Sequence, residues 1–389
     1  LKKNLIPLTL GGLGIGTTEF VMMGLLPDIA KDFNVSIPVA GHLISAYALG
    51  VVIGAPLLVA ISSNYPPKKI LIALMVMFTV FNAFSAFAPD HNALFIARLL
   101  SGLPHGAFFG VGSVVASRLA EKGKQAQAIS VMFAGLTIAN LLSVPLGTYI
   151  GHHYSWRYTF GLIAFIGLMA LLFIQLWLPA LPVSREGDIK SEMGFFKTRE
   201  AWLILLTTAI GTGGLFCWIS YIAPLMTDVG HFSKNSVPLI LIVAGLGMVI
   251  GNILGGKLAD WVAPVKACLI LLISMAVALI TIYFVSGNQV LSIIMTFITG
   301  ALSMAIGSPI QILMIRTAKG AEMLGAAATQ AAFNTGNALG ALLGGLPIAM
   351  GYGFTSPELV GVVMALTGAL FAVALFKRQA AVKRELEMA

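Results

Sequence analysis

The sequence predicts an all-α integral membrane protein whose twelve transmembrane helices form two six-helix parallel repeats. Three observations carry this. Of 389 residues, 58% are hydrophobic and 10% charged, whereas a soluble domain carries about 25% charged residues, and the mean hydropathy is +0.95. The apolar residues gather in runs near the roughly 20 residues that a spanning helix needs. The second half of the chain also repeats the first in one gap-free register.

In order, the runs are Leu5 to Leu26, Gly41 to Ile61, Ile70 to Ala88, Ala93 to Ala116, Ala128 to Ile150 and Tyr158 to Leu178. Six more follow: Trp202 to Met226, Val237 to Leu258, Val265 to Val285, Val290 to Ile315, Gly325 to Met350 and Pro357 to Phe376. Short breaks containing charges, Pro or Gly separate them, such as Pro27 and Asp28 after the first, Pro89 and Asp90 after the third, and Lys377 and Arg378 after the last. The first run follows Lys2 and Lys3, but it is too long for a cleaved signal, and no small-x-small cleavage site follows it. Residues 1–180 are expected to form one bundle and 201–389 the other, with 181–200 as a polar linker. No soluble domain remains for separate chemistry, so no enzyme is expected. Cys217 and Cys268 fall inside spans and read as small apolar residues.

The net charge of +8 does not point to nucleic acid, because of where the charges lie. Lys31, Arg157 and Lys234 fall on one side of the spans, and the other Lys and Arg outside the spans fall on the opposite side. By the positive-inside rule both termini are cytoplasmic. The basic face meets anionic lipid.

Sliding the chain along itself by 197 positions brings "LGVVIG" (Leu49 to Gly54) onto "LGMVIG" (Leu246 to Gly251). The same offset puts Gly14, Gly16 and Pro27 on Gly211, Gly213 and Pro224, and Asn140 and Gly147 on Asn337 and Gly344. Parallel repeats of this kind are the plan of secondary transporters, with a substrate site between the halves that opens to one membrane face at a time. Pro56, Pro104, Pro145, Pro309 and Pro347 interrupt spans, each removing a backbone hydrogen bond. Glycines at spacings of three and four, as in "GVVIG" and "GNALGALLGG", read as seams of close helix approach.

A charge at the bilayer centre costs about 2.5 to 3.5 kcal/mol on insertion scales, so it normally faces a cavity or a partner. Glu19 and Arg98 are the clear cases. Counting 1.5 Å per residue, Glu19 lies roughly 12 Å short of the outer end of its helix, and Arg98 and His105 roughly 6 and 16 Å below the outer end of theirs. Arg98 and His105, seven apart, share nearly one helix face. If that face meets the first helix, Glu19 gains two potential cationic neighbours. Its protonation would then depend on hydration and on what occupies the cavity, as proton coupling requires. The alternative is a buried ion pair that holds two helices together. At the repeat offset Glu19 falls on Phe216, so coupling belongs to the first half.

Asn140, Gln311, Asn334 and Asn337 are candidates to hydrogen-bond a substrate, or to join helices. Trp218 and Tyr221 in "CWISYIAP" are candidates to stack on one, or to pack. "GNILGGK" (Gly251 to Lys257) fits the start of a phosphate-binding loop but lacks the following Ser or Thr and leaves a membrane span, so the energy source should be an ion gradient. No zinc pattern, nucleophile elbow or dinucleotide fingerprint occurs, and neither cofactor nor metal is expected.

"GTTEFVMMGLLPDIA", "RLLSGLPHGAFFGVGS", and "GLTIANLLSVPLGTYIG" followed by "SWRYTF" resemble the first-, fourth- and fifth-helix signatures of the drug and proton antiporter group of the major facilitator superfamily, which contains bacterial sugar and arabinose efflux permeases. The resemblance places Glu19 at the acidic position of the first helix and Arg98 and His105 in the fourth. It assigns the exporter motif of the fifth helix to Pro145 and Gly147. Two departures stand out. The loop after the second helix reads "ISSNYPPKK" without its usual acidic residue, which survives in the repeat copy "GKLADWVAPVK" as Asp260, and Val144 stands before Pro145 where exporters often have Gly. Gating is therefore expected at Pro145, Gly147 and Asp260.

The expectation is a monomeric, multi-pass transporter in the bacterial inner membrane that exports a small organic solute, a sugar or an amphiphilic compound, in exchange for protons. The alternatives are a uniporter or symporter in which Glu19 binds substrate, and a channel or membrane scaffold.

Overall fold

The computed structural model describes residues 3–62, 65–121, 125–183, 193–318 and 321–388. Among the described residues there is no strand, and twelve long helical segments follow one another. The first four are Ile6–Asp32, Ile37–Ser62, Pro67–Ala86 and His91–Leu119. The fifth runs Gln125–Ile138, passes through a π turn at Ala139–Ser143 and resumes as Val144–His153. The sixth is Trp156–Trp177. The seventh is segmented, Arg199–Gly211, Gly213–Ser220 and Ile222–Pro224, ending in a π turn at Leu225–Val229. Val237–Val262 and Pro264–Val285 are the eighth and ninth, the tenth comprises Gln289–Ala305 and Gly307–Thr317, and Glu322–Ala349 and Ser356–Met388 complete the set.

Eleven of these are long and apolar enough to cross a membrane. The eleventh helix falls short because Asn334 and Asn337 lie in its most apolar stretch, and both are buried inside the protein. Its polarity faces inward. Large apolar side chains elsewhere are exposed, among them Leu57, Phe84, Ile96, Phe284 and Leu370, as expected of surfaces that meet hydrocarbon.

The second and fourth helices are locked backbone to backbone. A Cβ on Gly50 or Gly54 would run into the carbonyls of Leu99 or Leu103, and one on Gly102 into the carbonyl of Tyr47. The eighth and tenth helices repeat this, with Gly247 and Gly251 against the carbonyls of Phe297 and Ala301. The glycine seams expected from sequence are therefore helix crossings, placed alike in the two halves.

The first six and last six helices meet mainly through the second and fourth helices with the eleventh, the fifth with the eighth, and the outer ends of the first and seventh. One apolar core runs through both, from Leu8 and Phe20 to Ile219, Leu241 and Met248. A separate core, including Ile204, Cys268, Ile310 and Leu375, belongs to the last six helices alone. On the side away from the termini, Asp28 pairs with His152, and Asp32 pairs with Arg157 and accepts from Trp156 Nε1 at 3.0 Å. These contacts tie the ends of the first, fifth and sixth helices together.

Candidate functional site

Three polar side chains on three helices build one buried chain of hydrogen bonds. Arg98 is fully buried, and its Nη1 donates to Thr18 Oγ1 at 2.8 Å. Thr18 donates to Asn82 Oδ1 at 2.6 Å, and Asn82 Nδ2 closes the chain on the Phe78 carbonyl at 2.8 Å. Arg98 Nε and Nη2 have no hydrogen-bond partner. The guanidinium carbon instead lies 4.3 Å from the centre of the Tyr47 ring and 5.7 Å from that of Phe160, within the range of cation–π attraction.

Glu19, next in sequence to Thr18, is 6% exposed. Among the described residues no ion pair within 4.0 Å joins it to Arg98. The buried ion pair offered as an alternative is not formed here, because the guanidinium is committed to the Thr18 hydroxyl and the Tyr47 ring. Glu19 Oε1 accepts a long hydrogen bond, 3.5 Å, from Asn337 Nδ2 on the eleventh helix. One of the few polar links between the two sets of six helices therefore ends on the buried carboxylate of the first helix. The other among the described residues lies beside it, Ser45 Oγ donating to the Ala338 carbonyl at 3.0 Å.

His105 lies buried one face-repeat below Arg98, with Nδ1 3.1 Å from the Tyr47 hydroxyl and its ring edge-on to Phe109. Arg98 and His105 thus meet on Tyr47, and Asn337 reaches Glu19, a contact that the sequence did not suggest. Asn140 lies at the same level, at the start of the π turn, with Nδ2 bonded back to Leu136 O at 3.1 Å. It borders a cavity of about 10 Å³ between the halves, lined also by Phe20, Met23, Ile219, Leu241 and Met248. That is room for one water, not for an organic solute.

The remaining candidates are placed differently. Tyr221 Oη donates to the Ala341 carbonyl at 2.6 Å, wedged where Gly41 and Gly345 leave space, so its hydroxyl seals the crossing of the halves. Trp218 is fully buried and its Nε1 has no acceptor. Asn334 bonds back to Gln330 O with Oδ1 unpartnered, and Gln311, half-buried, joins none of these hydrogen bonds. Gly147 accepts from Thr159 Oγ1 at 2.7 Å and packs on Val21, which places the Pro145–Gly147 stretch against the first and sixth helices. The Asp260 side chain lies outside the described residues.

Sequence reasoning missed Tyr47, Thr18 and Asn82. Asn82 could have been found as an amide in an otherwise apolar run, whereas Tyr47 and Thr18 carry no signal until their neighbours are known. It also missed Glu358. Glu19 is not the lone buried carboxylate of the chain, since Glu358 in the first turn of the twelfth helix is 1% exposed with Oε2 unpartnered.

The comparisons agree with this architecture. The sequence model of the Major Facilitator Superfamily matches residues 8–329. AraJ of Escherichia coli (strain K12), named as a transporter, is 39% identical over 383 residues, 98% of this chain and 97% of that one. The inner membrane transport protein YdhP of the same strain is 40% identical over 367 residues, 94% of each chain. Among solved structures, the D-xylose-proton symporter superposes with a TM-score of 0.74 at 18% identity, over 95% of this chain and 96% of that one. A bacterial homologue of the human lysosomal transporter Spinster, in an inward-facing and unoccupied conformation, gives 0.72 at 16% identity over the same shares. These two show the fold alone. By sequence and by fold, the chain belongs to the Major Facilitator Superfamily, a class of membrane transporters rather than enzymes.

Proposed function

We propose that this transporter exports a small organic solute, a sugar or an amphiphilic compound, across the bacterial inner membrane in exchange for protons, with both termini cytoplasmic. The bundles 1–180 and 201–389 rock about the 181–200 linker. The observation that carries this reading is the hydrogen bond from Asn337 to Glu19. A buried carboxylate whose partner belongs to the opposite bundle changes surroundings whenever the bundles separate.

The cycle follows from that geometry. The bonded contacts between the bundles lie at Glu19 and beyond it, toward the side away from the termini. Parting them there withdraws the Asn337 amide and lets water reach Glu19, which takes a proton from outside. Closing again desolvates the protonated acid, and opening toward the termini releases the proton and admits the next solute. Arg98 keeps a positive charge near the carboxylate, and Asn140, Asn337 and Trp218 line the level at which a solute would bind.

A thermal-shift screen of sugars, nucleosides and lipophilic cations on purified protein identifies a substrate. In proteoliposomes Glu19→Gln is expected to bind that compound and exchange it across the membrane, yet to lose transport driven by a pH gradient. Driven transport at the wild-type rate would overturn the proposal.

A further inference from the structure

We propose that Tyr47 is the positioning residue of the proton-coupling centre, its ring setting where Arg98 stands relative to Glu19 and its hydroxyl holding His105. This rests on the proton-coupled reading above.

Tyr47 is 1% exposed and lies on the second helix, outside every motif that pointed to the site. Two of its parts make two different contacts. The ring face takes the Arg98 guanidinium at 4.3 Å, and the hydroxyl meets His105 Nδ1 at 3.1 Å. Arg98 and His105, seven residues apart on the fourth helix, thus grip one side chain from above and below. Arg98 has one hydrogen-bond partner, Thr18, with Nε and Nη2 free, so the ring supplies the second constraint that a planar guanidinium needs to be held in one orientation.

The contact is also fixed in height. Gly102, midway between the two gripping residues, packs directly on the Tyr47 backbone carbonyl, in the glycine seam that binds the second and fourth helices. Rocking of the bundles therefore carries Tyr47, Arg98 and His105 together, and what moves relative to Glu19 is Asn337. Of the titratable or charged groups around Glu19, the fourth helix brings Arg98 and the second brings Tyr47, with His105 held on the Tyr47 hydroxyl. The fifth, seventh and eleventh helices bring the uncharged Asn140, Ile219 and Asn337 to this level.

The division of labour is separable by substitution without any solute. Two signals are read on purified protein: the pH at which the protonated-carboxyl infrared band of Glu19 is half formed, taken as wild type minus Glu19→Gln, and the rate at which diethylpyrocarbonate modifies His105, taken against His105→Gln. Tyr47→Phe keeps the ring and removes the hydroxyl. It is expected to speed His105 modification about fivefold, the equivalent of one hydrogen bond, and to leave the Glu19 midpoint in place. Tyr47→Leu removes the ring as well and is expected to move the Glu19 midpoint by about one pH unit, the scale of a displaced neighbouring charge. Arg98→Lys keeps the charge without a planar face and is expected to move the midpoint likewise while His105 reacts as in wild type, which serves if Tyr47→Leu does not fold. Wild-type His105 reactivity in Tyr47→Phe, or an unmoved Glu19 midpoint in both Tyr47→Leu and Arg98→Lys, overturns the inference. Lowered thermal stability with neither signal moved assigns Tyr47 to packing and also overturns it. Because neither signal needs transport, failure of Glu19→Gln to lose driven transport would refute the proton-exchange reading separately.

Discussion

At the scale of residues, the site is a set of incomplete satisfactions. Arg98 lies fully buried with two nitrogens unpartnered, Asn337 has Oδ1 unpartnered, and Glu19 holds only a 3.5 Å bond. Such groups are costly to keep in a membrane interior unless another state or a ligand completes them. The Thr18–Asn82 end of the hydrogen-bonded chain is the exception, since the Thr18 hydroxyl both accepts from Arg98 and donates to Asn82. Asn82→Leu removes the acceptor of the Thr18 hydroxyl and is expected to destabilise the protein by about 1–3 kcal/mol in thermal or denaturant unfolding. Glu19, Arg98 and His105 were legible in the sequence because a charge or imidazole inside an apolar run is visible without a structure. Tyr47 was not, because hydropathy counts a tyrosine as nearly apolar and its role lies in two contacts from another helix. Glu358 went unseen for a different reason: Thr355-Ser356-Pro357-Glu358 opens a helix, where an acidic residue in the first turn is ordinary.

At the scale of elements, the apolar runs located the helices but not their ends. The first run breaks at Pro27, yet the helix continues to Asp32, since a proline costs one carbonyl partner and the following turn is held by its own bonds. The prolines expected to interrupt spans do so unevenly. Helices pass unbroken through Pro56, Pro104 and Pro347, while a π turn precedes Pro145 and the tenth helix parts at Ile306, before Pro309. What separates these cases is tertiary contact, and no pattern in the sequence encodes it: the π turn at Asn140 is pressed by Gly245 of the eighth helix. The glycine seams were legible, and they give a sharp comparison. Gly54→Val and Gly251→Val push a side chain into a backbone carbonyl and are expected to lower stability by about 1–3 kcal/mol or more. Gly256→Val, where a Cβ meets nothing within 4 Å, is expected to leave the melting temperature near that of wild type.

At the scale of the whole molecule, the repeat register and the alternation of spans carried the fold, since both depend on composition and spacing over hundreds of residues. The pairing of the second helix with the eleventh and of the fifth with the eighth was not legible, because it is set by how two bundles meet. Rocking requires that meeting to open. With Cys217 and Cys268 replaced by Ala, cysteines at positions 45 and 338, where Ser45 Oγ now lies 3.0 Å from the Ala338 carbonyl, are expected to cross-link under mild oxidation. Cross-linked protein should stop exchanging solute across proteoliposomes and recover with reductant. Exchange persisting through the cross-link would show that the bundles do not part there.

Trp218 has a further use. Four of the five tryptophans, Trp156, Trp177, Trp202 and Trp261, stand at or near helix ends, whereas Trp218 is buried at mid-depth with an indole N–H that donates to nothing. The protein thus carries its own optical reporter. With the other four indoles replaced by Phe, the emission colour of Trp218 registers whether water has reached the crossing of the bundles, so opening can be followed by light without attaching a dye.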